Sequence, residues 1–212
     1  MPILALVNQK GGVSKSTTSV HLASWLHRQG KSTALVDADA QRSSSLWVEG
    51  MEENAPPCRV ISSPDDLLEQ LPSVADDFDF VVVDAPAGLA EETRAILFCA
   101  DIAIVPVQPT GVDLRSASDV LRLIKQAQRV RGGSPEALIF LGRAVKGTRL
   151  KDEAIDLLRD IDAATLLDTV IHQRQVVADT SGQSCTVWEL GKAGEASASE
   201  FDALFTEVMQ QL

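Results

Sequence analysis

Short, unbroken apolar runs punctuate this chain. Ile3-Leu4-Ala5-Leu6-Val7, Thr33-Ala34-Leu35-Val36-Asp37, Phe78 to Asp84, Asp101 to Val107 and Glu136 to Leu141 are of strand length and apolar on both faces. That is the pattern of strands buried between two layers rather than exposed on one side. Between the runs, apolar residues return at helical steps. Val20, Leu22, Ala23, Trp25 and Leu26 give one side to a helix that starts near Ser16 and ends near Gln29, with Gly30 as its stop. Asp65 to Leu71, Glu91 to Cys99 and residues 112–130 predict further helices, the last with Ala117, Val120, Leu121, Leu123, Ile124 and Ala127 inward. Arg59-Val60-Ile61 and Leu166 to Ile171 read as lesser strands, residues 151–162 as a helix, and Glu195 to Gln211 as a C-terminal helix. Strands alternating with helices predict an α/β fold: a mostly parallel, twisted sheet flanked by helices on both faces, within one domain over residues 1–212.

The first strand runs into Lys10-Gly11-Gly12-Val13-Ser14-Lys15-Ser16-Thr17 and then directly into a helix. Strand, glycine loop and helix N-terminus form an anion site, because loop amides and the positive end of the helix dipole converge. Lys15 adds a cation, and Ser16 offers a hydroxyl to a magnesium ion between phosphates. The second strand ends in Asp37-Ala38-Asp39-Ala40-Gln41, and the run Phe78 to Asp84 ends in Asp84-Ala85-Pro86-Ala87-Gly88-Leu89. In open α/β sheets ligands bind at the carboxyl ends of strands, so these aspartates belong to the same edge. An apolar strand ending in Asp84 fits a Walker B carboxylate.

The loop departs from G-x-x-x-x-G-K-[ST]: Gly11 lies four residues before Lys15, Ser14 replaces the second glycine, and Lys10 is additional. K-G-G-x-x-K-[ST] resembles the deviant Walker A motif of the ParA/MinD family of ATPases, a branch of the P-loop NTPases. Asp37 to Gln41 resembles the family's D-x-D-P-Q stretch, with Ala40 in place of proline, and Asp84 to Leu89 resembles its switch II. The motif likeness is strongest over residues 1–110, and the C-terminal half matches in pattern only. The resemblance implies ATP and Mg2+ as ligands, with Gly11, Gly12, Val13, Ser14, Lys15, Ser16 and Thr17 cradling phosphate. It assigns Ser16, Asp37 and Asp84 to the magnesium shell and Asp39 to the attacking water. It assigns Lys10 to a contact with the partner's phosphates in a homodimer that sandwiches ATP. Lys151, in the basic stretch Lys146 to Lys151, is a second candidate for that cross-subunit contact. His172-Gln173-Arg174-Gln175 is a candidate to flank the adenine, with His172 itself read as structural. No N-K-x-D is present, which disfavours GTP.

Composition narrows the function. The net charge of −11 does not suggest a nucleic-acid binder. The resemblance nevertheless implies a slow, partner-stimulated switch that positions cargo, as the small partition ATPases and the McdA-type carboxysome positioners do. Its ATP dimer would bind nucleoid DNA without sequence preference, and a small ParB-like or McdB-like adaptor would stimulate hydrolysis. Such binding requires a patch assembled from Arg115, Arg122, Lys125, Arg129, Arg149, Lys151, Arg159 or Arg174, although a row of arginines on a helix is usually a solvated face. Cys58, Cys99 and Cys185 lack C-x-x-C spacing and suit isolated thiols. Neither a transmembrane run nor a signal peptide is evident, so the expected location is cytoplasmic; the resemblance implies that it is also nucleoid-associated. Two other readings stay open. One is a MinD-type membrane-recruited regulator, opposed by the acidic residues Glu195, Glu200, Asp202 and Glu207 on the C-terminal helix. The other is a metabolic P-loop ATPase.

Overall fold

The computed structural model describes residues 1–212. Seven strands form one parallel sheet: β1 (Ile3–Leu6), β2 (Thr33–Asp37), β3 (Cys58–Val60), β4 (Phe80–Asp84), β5 (Ile102–Val107), β6 (Glu136–Ala144) and β7 (Thr165–His172), in the order β3-β2-β4-β1-β5-β6-β7. The inner strands are buried along their length, as their continuous apolar runs require. Alternate residues go to opposite layers. Ile3, Ala5, Val81 and Val83 join a core of 32 residues with the helices α3 (Pro64–Asp77), α4 (Glu91–Cys99), α5 (Gly111–Arg131) and α6 (Arg149–Arg159). Leu4, Leu6 and Val82 join a second core of 21 residues with α1 (Lys15–Arg28), α2 (Ser43–Glu49) and α8 (Glu195–Met209). Between β7 and α8 in the chain lie α7 (Gln175–Gly182) and a 3-10 segment, Val187–Ala193.

Because all strands are parallel, their carboxyl ends share one edge. In register, Leu6 of β1 and Asp37 of β2 both pair with Asp84 of β4. The loop after β1 and the two acidic strand ends are therefore neighbours by sheet geometry alone. The chain leaves β1 toward β2 on one side and later crosses to β5 on the other, which places the crevice at this edge.

Several boundaries differ from those the sequence predicts. α3 begins under a Ser63 cap, whose hydroxyl accepts from the Asp66 amide at 3.1 Å, and runs through Pro72 to Asp77. A proline inside a helix removes one hydrogen bond, yet continuing it buries Val74 and Ala75 in the core. α6 begins at Arg149 rather than at Lys151, so Lys151 sits within its first turn, and it ends at Arg159. α2 and α7 were not foreseen: α2 opens on three serines, and α7 buries only Thr180, so neither carries a periodic apolar stripe.

α8 packs on the sheet through Phe201, Leu204, Phe205 and Val208, all at most 1% exposed. Three of its four acidic residues, Glu200, Asp202 and Glu207, have partners. Glu207 accepts from the Asp168 amide at 2.8 Å and from the Thr169 hydroxyl; Asp202 accepts from the indole N–H groups of Trp25 and Trp188 at 3.0 and 3.1 Å. Behind them His21 of α1 is fully buried and stacks on Phe201 at 4.5 Å. Its Nδ1 lies 2.7 Å from the Thr17 carbonyl, and its Nε2 accepts from the Val187 amide at 3.2 Å, which fixes a neutral tautomer. Burial pushes its pKa down to about 4. No helix is long and apolar enough to cross a membrane.

Candidate nucleotide-binding site

The loop between β1 and α1 is held from three directions. Gly12, at φ 76, turns its carbonyl toward Gln108 Nε2 (2.9 Å) and Arg143 Nη1 (2.8 Å). The Gln9 carbonyl accepts from the Gly88 amide at 2.8 Å, so the segment after β4 is tied to the loop. Asn8, buried, accepts from the Lys10 amide at 3.0 Å and donates to the Pro106 carbonyl at 2.7 Å. Ser14 accepts the left-handed conformation (φ 72) that a glycine would take without strain, at roughly 1–2 kcal/mol for an L-residue. Val13 is buried beneath the loop. α1 has no side-chain cap and no acidic residue in its first turn, so its leading amides are free to meet an anion.

Lys15 is 7% exposed, and its Nζ donates to the Lys10 carbonyl at 3.1 Å. Burial pulls its pKa down, while the carboxylates of Asp84 and Asp39 pull it up. Asp84 is wholly buried. Its Oδ1 accepts from the Ser19 hydroxyl at 3.1 Å, and its Oδ2 has no donor. Burial pushes its pKa up to about 6; the hydroxyls of Ser16, Ser44 and Ser19 hold it down, and neighbouring Asp37 adds to the rise. A buried carboxylate oxygen without a donor, beside a serine hydroxyl, suits a hard cation that takes its remaining ligands from phosphate and water. No group of three or more His, Cys, Asp or Glu could cage a metal unaided, so the residues fit magnesium shared with a nucleotide rather than a resident protein metal.

Asp37 has another duty besides charge. Its Oδ1 accepts from the Asp39 amide at 3.0 Å and its Oδ2 from the Ser45 amide at 2.8 Å, so it fixes the path from β2 into α2. Asp39 accepts from the Gln41 amide at 2.9 Å.

A cavity of about 500 Å3 reaches the loop and Asp39, whereas Asp37 and Asp84, wholly buried, do not line it. At one end stand Gly11, Gly12, Ser14, Lys15, Ser16 and Thr17 with Asp39, and the Arg143 guanidinium reaches the Gly12 carbonyl there; at the other are the ends of β6 and β7 and α7, including Gln173 and Val177. That volume and this mixed lining suit a nucleotide-sized ligand. His172, Gln173, Arg174 and Gln175 all line it, as their sequence position suggested.

Glu200 of α8, which the sequence offered only as an acidic surface residue, organises that far end. Its carboxylate accepts from the His172 amide at 3.0 Å, His172 Nδ1 at 2.8 Å, and both Arg174 guanidinium nitrogens at 2.5 and 2.6 Å. Despite the cost of burial, these bonds hold it well below the usual range, at about 2. Only the heptad spacing of Glu200 and Glu207 on an apolar helix hinted at inward carboxylates. Arg174 is thereby committed to the cavity wall and drops out of the basic surface set. Lys151 does not line the cavity; its Nζ pairs with Asp152 at 3.2 Å. Arg115, Arg122, Lys125 and Arg129 are exposed along α5, Arg122 paired with Asp119 at 3.1 Å.

Sheet order, glycine loop, buried lysine and convergent aspartates define a P-loop nucleotide-binding protein of the α/β class. Residues 4–186 match the CobQ/CobB/MinD/ParA nucleotide binding domain, and the chain belongs to that family. It is 28% identical over 212 residues to the maintenance of carboxysome distribution protein A of Halothiobacillus neapolitanus, covering 97% of this chain and 95% of that one. The fold is similar to that of apo McdA from Cyanothece (TM-score 0.83, 16% identity, 99% of each chain). It is also similar to that of an ATP complex of a Cyanothece McdA variant (TM-score 0.77, 15% identity, 96% of each chain).

Proposed function

We propose that this chain is a slow ATP-hydrolysing switch that dimerises on ATP and positions an intracellular cargo, with a small adaptor protein stimulating hydrolysis. The observation that carries the reading is a cavity with the uncapped α1 amides and Lys15 at one end and the β6, β7 and α7 wall at the other, beside the buried Asp84 carboxylate, whose Oδ2 has no donor, at the end of β4. The likeness to a carboxysome distribution protein over nearly the whole chain supports the cargo role.

The roles follow from position. The amides of residues 11–17 and the Lys15 ammonium hold the β- and γ-phosphates. Ser16 and Asp84 hold magnesium, with Asp37 behind them shaping the loop. A magnesium ion held there would offset the negative charge that develops on the transferred group. Asp39, facing Lys15 across the cavity, orients water for in-line attack. Lys10 crosses to the partner's phosphates; Lys151 is the weaker candidate, since its amino group is paired outside the cavity. The base lies against the Gln173 and Val177 wall.

The dimer is cytoplasmic and binds nucleoid DNA without sequence preference, through cations such as Lys125 and Arg129 of α5. DNA retention by purified protein with ATP, ADP or no nucleotide, at two salt concentrations, tests this. ATP-selective binding that weakens steeply with salt is expected; ATPase activity without DNA binding in any state would remove the nucleoid from the proposal.

A further inference from the structure

Lys10 does not line the cavity. Its ammonium lies 3.0 Å from Oδ2 of Asp113, in the first turn of α5. The lysine side chain is 39% exposed, whereas Asp113 is not exposed at all. The Asp113 carboxylate also receives the Thr110 hydroxyl, and Thr110 in turn caps the helix by accepting the Asp113 amide at 3.2 Å. Its second oxygen, Oδ1, is buried with no partner. Lys10 is thus the cation that neutralises an under-satisfied buried carboxylate. Removing one member of such a pair leaves the other charge uncompensated, and that asymmetry makes the contact hard to vacate.

We infer that Asp113 is a latch on Lys10: it keeps the lysine within its own subunit until a second subunit offers a phosphate, and so sets the nucleotide concentration at which two subunits join. The inference rests on the proposed ATP dimer, in which Lys10 crosses the interface. Asp113 does not line the cavity; it is a positioning residue acting through Lys10. The latch opposes association in both subunits. Weakening it by about tenfold in each lowers the dimer dissociation constant on the order of a hundredfold.

Sedimentation with a slowly hydrolysed ATP analogue tests this on wild type, Asp113→Asn, and Lys10→Ala with and without Asp113→Asn. The asparagine keeps the shape of the carboxylate and the Thr110 contact. The expected result is dimerisation of Asp113→Asn at a tenfold or greater reduction in analogue concentration, and no effect of the same change in the Lys10→Ala background. A folded Asp113→Asn variant whose midpoint is unchanged or raised overturns the latch while leaving the ATP dimer standing. Wild type that stays monomeric overturns the switch reading and the latch with it. Amine acylation of nucleotide-free wild type, read by mass spectrometry, is independent of the variant's folding. Lys10 should react several-fold more slowly than exposed Lys31; equal rates refute the contact.

Discussion

Replacing Glu200 by Gln tests whether α8 holds the far end of the cavity in place. The carboxylate accepts four bonds, two of them from the Arg174 guanidinium. Its fall from 4.5 to about 2 corresponds to about 3.4 kcal/mol at 1.36 kcal/mol per unit, an upper bound. The side chain is 17% exposed, so screening by solvent reduces this to about 2 kcal/mol. Because the folded pKa is depressed, the contribution is complete above about pH 4.5 and is lost as pH falls toward 2. Urea unfolding at pH 7 should therefore show Glu200→Gln less stable by about 2 kcal/mol. Titration with a fluorescent ATP analogue should show weaker binding, by about five- to tenfold, since Gln173, Arg174 and Gln175 line the cavity. A loss below 0.5 kcal/mol would mean that solvent screens the pair completely. Lost stability with unchanged affinity would show that the β7 end plays no part in binding nucleotide.

Lys15→Ala should abolish nucleotide binding in calorimetry; tight binding retained would refute the loop assignment. Asp39→Ala should keep ATP binding while phosphate release falls a hundredfold or more, and normal turnover would exclude the water-positioning role. His21 titrates in the acid range. Its folded pKa of about 4 lies below the ordinary 6.5, so the neutral ring's contribution is complete above pH 6.5 and declines as pH falls toward 4. Between pH 7 and 4.5 that decline amounts to about 2–3 kcal/mol. Asp84, raised to about 6, acts in the opposite sense, so the measurement is a difference. Wild type should lose about 2–3 kcal/mol more than His21→Asn across this range in urea titrations, and equal losses would place the acid sensitivity elsewhere.

The parts of the molecule most legible in the sequence are those where local chemistry and burial agree. Residues buried on both faces gave the inner strands continuous apolar runs, and the parallel arrangement then brought Lys15, Asp39 and Asp84 to one edge without any further information. The helices that escaped notice, α2 and α7, are short, and tertiary contacts rather than an apolar stripe decide them: Trp47 of α2, for example, donates its indole N–H to the Cys185 carbonyl at 3.0 Å. α3 escaped at its end because the rule that proline stops a helix was outweighed by the burial of Val74 and Ala75. At the site, the contacts that Lys10 and Glu200 make within the subunit are illegible in the sequence for a shared reason. Each is defined by a partner about 103 or 26–28 positions away, and nothing in a local pattern specifies such a pairing.

The two margins of the sheet have a consequence for assembly. β3, at one margin, is only three residues long. At the other, the Asp168 and His172 amides of β7 are occupied by carboxylates from α8. A strand that is short or already capped is a poor template for another chain. Growth of the sheet from copy to copy, which would be hard to reverse, is therefore discouraged at both sides. The proposed ATP dimer uses instead the rim where the cavity opens. There, the chemistry of a small molecule can command both the joining and the parting.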